Sequence, residues 1–244
     1  MKKTILLSFA LLAFQAGAYA QLNNVLNKAK NAVKEVAPVA GLSQEEAGNG
    51  LKEALNVGVG EAVEFLHAKD GYFKSPYKIL MPEEALKVSN KLKAVPGFSN
   101  LEADLTERMN RAAEDAAEKA KPIFVKAIKE MSFQDALNIL MGKQDAATRY
   151  LESSTSQALY AAFKPIIQES LDKVNARTYW REAVTAYNKI PLVTKTNPEL
   201  DDHVTRMALA GMFKLVEKKE TSIRTDVNQR SSDLLKKVFA KQDK

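Results

Sequence analysis

Residues 99–120, SNLEADLTERMNRAAEDAAEKA, decide the fold class of this chain. Their apolar side chains recur at intervals of three and four residues, the spacing that places them on one face of an α-helix. The residues that share this face are Leu101, Leu105, Met109, Ala112, Ala113, Ala116 and Ala120. Ser99 and Glu102 have the types and spacing of a capping box, which predicts where the helix begins. The stretch therefore predicts one long amphipathic helix.

The same helical period recurs on both sides of this stretch, and no run alternates with the period of two that is typical of a β-strand. Helices are predicted over residues 43–68, 82–95, 122–128, 133–141, 145–174, 176–188, 198–215 and 231–240. Ser43 and Glu46 form a second predicted capping box, Ser132 is a predicted cap, and Asn197 is predicted to cap a helix that has Pro198 in its first turn. Pro122 and Pro165 are expected to kink or restart helices, and the glycines around Gly58 indicate close packing or a break. The sequence thus predicts an all-α fold: a single irregular multi-helix domain over residues 43–244, with roughly nine helices and no strands.

The first twenty residues have the three parts of a cleavable secretory signal. Lys2 and Lys3 are basic, residues 5–14 are apolar, and Ala18-Tyr19-Ala20 is a small-x-small cleavage site. The apolar run is shorter than the roughly 20 residues that a membrane-spanning helix requires. We therefore expect cleavage after Ala20 and export, with no transmembrane segment in the mature chain.

Residues 21–42 form a separate short segment before the helical domain. Its apolar residues, Leu22, Val25, Leu26, Ala29, Val33 and Val36, recur at helical spacing, and Pro38 and Gly41 end the pattern. This predicts a short amphipathic N-terminal helix or arm. It either packs on its own domain, frays as a terminal arm, or binds a membrane or a partner.

Composition excludes several kinds of site. The chain has 36 Lys and Arg against 30 Asp and Glu, but acids and bases alternate and no basic run is interleaved with aromatic residues, so nucleic acid is not an expected partner. The absence of cysteine excludes disulfides, thiolate catalysis and a lipid anchor on cysteine. With two histidines and no glycine-rich loop after a strand, neither a metal nor a cofactor is predicted.

Polar side chains follow one face of the helix predicted over residues 99–120. Glu107, Arg111, Glu114 and Glu118 are spaced by four, three and four residues, with Asn110 beside them. Such a stripe forms either intrahelical ion pairs or the lining of a polar cleft. A more specific version is a buried network in which Arg111 and Arg149 meet carboxylates such as Asp202.

A second acidic group lies at the beginning of another predicted helix. Glu199, Asp201, Asp202 and His203 occupy one helical turn, where carboxylates and an imidazole can bind a divalent cation or act as acid and base. Acidic residues are also expected there from the helix dipole alone. Asp145, the remaining candidate, has the position of a helix N-cap.

Several short blocks together resemble a known family. These are residues 109–114 (MNRAAE), 145–150 (DAATRY), 200–205 (LDDHVT), 223–226 (IRTD) and 234–239 (LLKKVF). In this combination the chain resembles the bacterial family called domain of unknown function 4197, over roughly residues 43–240. The resemblance implies an exported helical protein of Gram-negative bacteria and supplies no catalytic residues. Members tend to have Tyr at position 203 and Pro at position 227, where this chain has His203 and Val227.

Three functions remain open. The first is a non-enzymatic periplasmic binding or interaction protein of the bacterial envelope, whose partner is a lipid, a peptide or an envelope protein; a large apolar cavity or an exposed apolar groove would support it. The second is a hydrolase-type enzyme, which requires carboxylates from separate helices in one pocket. The third is a structural helper at the envelope that binds anionic lipid through a basic arm of Lys28, Lys30 and Lys34. The candidate polar residues are Asn110, Arg111, Glu114, Asp145, Arg149, Asp201, Asp202 and Arg224.

Overall fold

The computed structural model describes residues 43–196 and 199–240. The predicted signal, the amphipathic segment 21–42, and the cap and first turn predicted at Asn197 and Pro198 lie outside the described residues.

The described residues form nine α-helices and one short 3-10 helix, and no strand occurs among them. The α-helices are α1 (Gln44–His67), α2 (Glu83–Leu92), α3 (Leu101–Ala117), α4 (Ala120–Glu130), α5 (Phe133–Leu140), α6 (Ala146–Lys173), α7 (Ala176–Asn188), α8 (Asp201–Thr225) and α9 (Asp233–Phe239). The predicted all-α fold is confirmed. The helical period of the apolar residues explains it, because it places them on one face of each helix, where they can be buried.

Two predicted helix starts are confirmed in atomic detail. The Ser43 hydroxyl accepts a hydrogen bond from the Glu46 amide at 3.0 Å, and the Ser43 amide donates to the Glu46 carboxylate at 2.9 Å. Ser132 accepts from the Asp135 amide at 3.0 Å. Helix α1 continues without a break through Gly58. Close packing explains Gly50, where a Cβ atom would lie 2.4 Å from Val238 Cγ2.

Two other predicted caps are wrong. Helix α3 begins after Asn100, whose side chain makes no capping bond, and the amide of Leu101 instead donates to Phe98 O at 3.1 Å. The turn that precedes the helix thus fixes its start, and the Ser99–Glu102 box does not form. Asp145 makes no side-chain cap at α6 either, because a carboxylate from α8 takes its place, as described below. Pro122 lies in the first turn of α4, so the helix restarts there.

Helices α6 and α8 pack against each other along their length and run antiparallel. Arg149, near the start of α6, pairs with Glu217 in the second half of α8, whereas Tyr160 further along α6 bonds to Asp202 at the start of α8. Helices α1 and α3 also pack on α8, and α1 in turn contacts α4, α5 and α9. Large side chains fill the space between these helices: Tyr72, Phe124, Phe163, Trp180 and Phe239 are fully buried. Burial of each contributes about 1.5–3 kcal/mol.

Residues 68–82, called the connector here, join α1 to α2 without regular structure. The Tyr72 side chain is fully buried, and its hydroxyl donates to Ala208 O of α8 at 2.8 Å. The connector is therefore part of the core. No helix among the described residues has the length and hydrophobicity needed to cross a membrane.

Candidate functional site

A groove of about 470 Å³ runs between α6 and α8. Its lining residues are Glu152, Ser156, Gln157, Tyr160, Arg206, Leu209, Ala210 and Phe213. Leu209 and Phe213 are buried and form an apolar floor, while Ala210 is exposed beside them. This volume falls within the range of small-ligand and peptide pockets. It is referred to below as the α6–α8 groove.

One end of the groove is a hydrogen-bonded group around Asp202. The Tyr160 hydroxyl donates to Asp202 Oδ1 at 2.5 Å, and Arg206 Nε donates to Oδ2 at 2.9 Å. The Arg206 and Tyr160 hydrogen bonds hold the pKa of Asp202 below its ordinary value. The Arg206 guanidinium and the Lys164 amine lie 5.4 and 5.7 Å from the centre of the Tyr160 ring. This end of the groove thus carries both signs of charge.

The other acidic residues of the predicted cluster point elsewhere. Asp201 is buried, and its carboxylate accepts a hydrogen bond from Gln168 Nε2 at 2.6 Å and lies 3.7 Å from Lys164 Nζ. His203 Nε2 lies 2.9 Å from Leu80 O of the connector. Neighbouring residues of a helix face different directions, so these groups do not converge. No cluster suited to a metal ion occurs among the described residues.

The opposite end of the groove is an ion cluster around Arg149. Its guanidinium pairs with Glu152 and Glu217, and its Nε lies 3.6 Å from Asp145. Glu152 and Tyr160, the outermost lining residues on α6, are eight residues apart. The groove is therefore roughly 12 Å long, because an α-helix rises about 1.5 Å per residue.

Asn110, Arg111 and Glu114 lie together on α3, but they hold the connector. Asn110 is fully buried and bonds to both the amide and the carbonyl of Ile79, each at 2.8 Å. Glu114 Oε1 accepts from the amides of Tyr72 and Phe73, each at 3.1 Å. These side chains supply the partners that an irregular, buried backbone segment needs.

Arg111 joins this group to the turn at the start of the connector. Its guanidinium donates to Glu114 Oε2 and to Asp70 Oδ1, both at 2.7 Å. Asp70 has a φ of 70°, a left-handed conformation that is uncommon outside glycine. The Arg111 hydrogen bond lowers the pKa of Asp70, and the bond to Glu114 raises the pKa of Arg111 itself. The ion pair thus fixes a strained turn.

Arg224 belongs to a third group, called the Glu220 network here. Glu220 Oε1 accepts from the Ala147 amide at 3.0 Å, and Oε2 accepts from the Thr148 amide at 2.8 Å and the Thr148 hydroxyl at 2.7 Å. Arg224 Nε donates to Glu220 at 2.9 Å, and its other nitrogens donate to the carbonyls of Ile139 and Leu140. One ion pair of α8 therefore supplies hydrogen-bond partners for backbone amides at the beginning of α6 and for backbone carbonyls at the end of α5.

The eight predicted residues thus lie in separate places. Asp145 and Arg149 lie at one end of the groove, Asp201 and Asp202 at the other, the α3 residues at the connector, and Arg224 in the core. Arg111 and Arg149 do not pair with Asp202 among the described residues; Arg111 meets Asp70 and Glu114, and Arg149 meets Asp145, Glu152 and Glu217. The convergence that a hydrolase would require is not formed by these side chains.

Three residues of these groups were not predicted from the sequence: Glu220, Tyr160 and Arg206. A signal for Glu220 exists: Ala208, Met212 and Val216 precede it at intervals of four on the buried stripe of α8, which places a carboxylate inside the core. Tyr160 and Arg206 carry no such signal, because they meet only when α6 and α8 pack antiparallel.

In its described residues, the structure is that of an all-helical protein with an open groove between two long helices. Most of its candidate charged residues hold the helices and the connector in place. The model of the family described as "Protein of unknown function (DUF4197)" matches residues 41–240, and the chain belongs to this family. The resemblance seen in the sequence is thereby confirmed. Neither the curated proteins nor the solved structures contain a match to the chain.

Proposed function

We propose that this protein is a non-enzymatic binding protein of the bacterial envelope, which holds an amphipathic helical segment of a partner protein in the α6–α8 groove. The observation that carries the proposal is the composition of the groove: an apolar floor of Leu209 and Phe213 between two charged ends. Apolar anchors flanked by charges are how amphipathic helices are recognised. The envelope location rests on the predicted secretory signal.

The dimensions of the groove favour a helix over a lipid. A length of roughly 12 Å matches two turns of a helix, and ion pairs at both ends present both signs of charge. An acyl chain instead requires an enclosed apolar cavity. The apolar cavity between α1 and α8, which Leu55, Val216 and Phe239 help to line, measures about 10 Å³ and is too small for an acyl chain.

The enzyme hypothesis is less well supported. The candidate carboxylates at the groove ends and the connector accept hydrogen bonds or ion pairs from the protein itself. A general acid or base must reach a substrate proton in a shared pocket, and no pair of these residues is placed that way. The structural-helper hypothesis depends on Lys28, Lys30 and Lys34, which lie outside the described residues, and it stays a prediction.

Site-specific photocrosslinking tests the proposal. A benzoylphenylalanine residue is placed at Gln157 or Ala210 inside the groove, and at exposed Lys87 on α2 as a control, in the exported chain within intact cells. We expect a protein adduct at the two groove positions and not at Lys87. A synthetic peptide spanning the crosslinked segment is then titrated into the purified protein.

The peptide should gain helical circular dichroism on binding, and Ala210→Arg should weaken its affinity at least about tenfold by filling the groove with a charged side chain, whereas Lys87→Ala leaves the affinity unchanged. Adducts of equal yield at Lys87, or an adduct that is a lipid, would contradict the proposal.

A further inference from the structure

A second pocket, of about 450 Å³, lies between the connector, α2 and the beginning of α3, away from the α6–α8 groove. It is called the Ser89 pocket here. Its floor consists of Ser89 and Thr106. Polar side chains of several kinds surround them: Lys78, Asn90, Lys93, Ser99, Asn100 and Glu102. The connector contributes the ring of Phe73.

The side chains of Ser89 and Thr106 are mostly buried, and within the described residues no partner bonds to either hydroxyl. Ser89 is 6% exposed and Thr106 is 9% exposed. Other buried helical threonines bond back to the helix, as Thr155 does to Leu151 O and Thr205 to Asp201 O. Within the described part of the chain, the one unpartnered side-chain atom sealed from solvent is Trp180 Nε1, so both hydroxyls open into the pocket.

Hydroxyls that face an open pocket bond to water while the pocket is empty, and a ligand with matching polar groups can replace that water. Here they face a space large enough for a small ligand. The pocket is also pre-formed, because Asn110 bonds to Thr106 O at 2.7 Å and to the connector at Ile79. The polar floor is thus fixed in position before any ligand binds.

The wall of the pocket adds charge and a flat apolar surface. Neither Lys78 nor Lys93 forms an ion pair within the described residues, and Glu102 is the one carboxylate of the lining. Lys78 Nζ lies 4.8 Å from the centre of the Phe73 ring, and the Arg111 guanidinium lies 5.0 Å from it. The lining therefore carries a net single positive charge around an aromatic ring.

We infer that the Ser89 pocket binds a saccharide that carries an acidic group. Sugar hydroxyls both donate and accept hydrogen bonds, as do the hydroxyls of Ser89 and Thr106 and the amides of Asn90 and Asn100. Beside the cations that stack on it, the Phe73 ring adds apolar wall that a sugar ring can contact, and the amine not balanced by Glu102 is left for the acid. A simple anion would use the lysines and leave the floor unpaired.

Three probes distinguish binding of an acidic saccharide from binding of a neutral sugar or a simple anion. They are N-acetylmuramic acid (acidic saccharide), N-acetylglucosamine (the same sugar without the acid) and lactate (the acid without the sugar). Each is titrated into the isotope-labelled mature protein, followed by amide NMR shifts. We expect N-acetylmuramic acid to shift the amides around Ser89 and Thr106, N-acetylglucosamine to bind about fivefold more weakly, and lactate not to bind. Equal binding of lactate, or shifts confined to other surfaces, would overturn the inference.

Variants test the floor and the charge separately. Ser89→Ala with Thr106→Val should weaken N-acetylmuramic acid at least about tenfold without lowering the melting temperature of the free protein, because no internal bond is lost. Thr106→Ser retains a hydroxyl and should retain most of the affinity. Lys93→Gln should weaken the acidic sugar and leave the neutral sugar unchanged. The control is Ser154→Ala, whose hydroxyl bonds to Tyr150 O on α6. An unchanged affinity in the double variant would refute the role of the floor.

Discussion

The Glu220 network and the Ser89 pocket both place polar side chains below the surface, but only one of them completes its hydrogen bonds. Glu220 accepts four hydrogen bonds from α6 and Arg224, whereas Ser89 and Thr106 make none within the described residues. A completed network of buried hydrogen bonds rigidifies a fold, whereas the hydroxyls of the Ser89 pocket are open to the ligand inferred above. The comparison separates residues that hold the structure from residues available for binding.

The largest effect is expected from Glu220→Ala. It leaves the Arg224 guanidinium, 3% exposed, without its carboxylate and removes the acceptor of two α6 amides. Breaking a buried ion pair from one side costs about 3–5 kcal/mol, measured as the free energy of unfolding in urea. The matched control, Glu217→Ala, removes a half-exposed partner of Arg149 and should cost less than about 1 kcal/mol. Similar losses in both variants would contradict the structural role of the Glu220 network.

Glu114→Ala should have the next largest effect, because it frees the connector. Two backbone amides and the Arg111 guanidinium lose a buried acceptor, and the expected cost is about 3 kcal/mol. Hydrogen exchange at the Tyr72 and Phe73 amides should accelerate more than exchange in α6. Exposed Glu118 on the same stripe provides the control, since Glu118→Ala should leave those amides protected.

The same substitution in the two regions gives the sharpest test. Thr148→Val removes a hydroxyl that donates to Glu220 at 2.7 Å and should cost about 2 kcal/mol, as expected for a bond to a charged group. Thr106→Val removes a hydroxyl without a partner and should change the unfolding free energy by less than about 0.5 kcal/mol in the absence of ligand. A ranking in the opposite order would invalidate the distinction between the regions.

The smallest effect concerns the exposed network at the groove. The pKa of Asp202 is lowered by Arg206 and Tyr160, so its contribution to stability is present above its ordinary pKa and is lost as the pH falls through the lowered value. Arg206→Ala should raise the pKa of Asp202 more than Tyr160→Phe does, measured by carboxyl NMR titration. An unchanged pKa in both variants would show that the groove end is not ordered in solution.

Local patterns predicted the helices well because the apolar period is a property of each segment. The Ser43–Glu46 box involves residues three apart in sequence, and it forms as predicted. The cap of α6 could not be predicted this way: its first amides bond to Glu220, more than seventy residues later in the chain. Asp145 had the right type and position, yet tertiary packing supplied a different carboxylate.

The candidate site was predicted less well than the fold. The stripe of Arg111 and Glu114 was visible in the sequence, but its target, an irregular connector with a left-handed residue at Asp70, was not. The Ser89 pocket gave no signal, because serine and threonine on helices usually bond to their own backbone. Only the packed structure reveals that two such hydroxyls have no partner.

The Glu220 network bears on whether the folded protein tolerates a cut in its backbone between α5 and α6. Residues 141–144 between α5 and α6 are exposed, while the helix ends on both sides are held by Arg224 and Glu220 of α8. We therefore expect the folded protein to tolerate a backbone cut at Lys143. After a cut there, the two fragments of the folded protein should elute together in gel filtration. This turn is therefore the site we would choose for a split version of the protein.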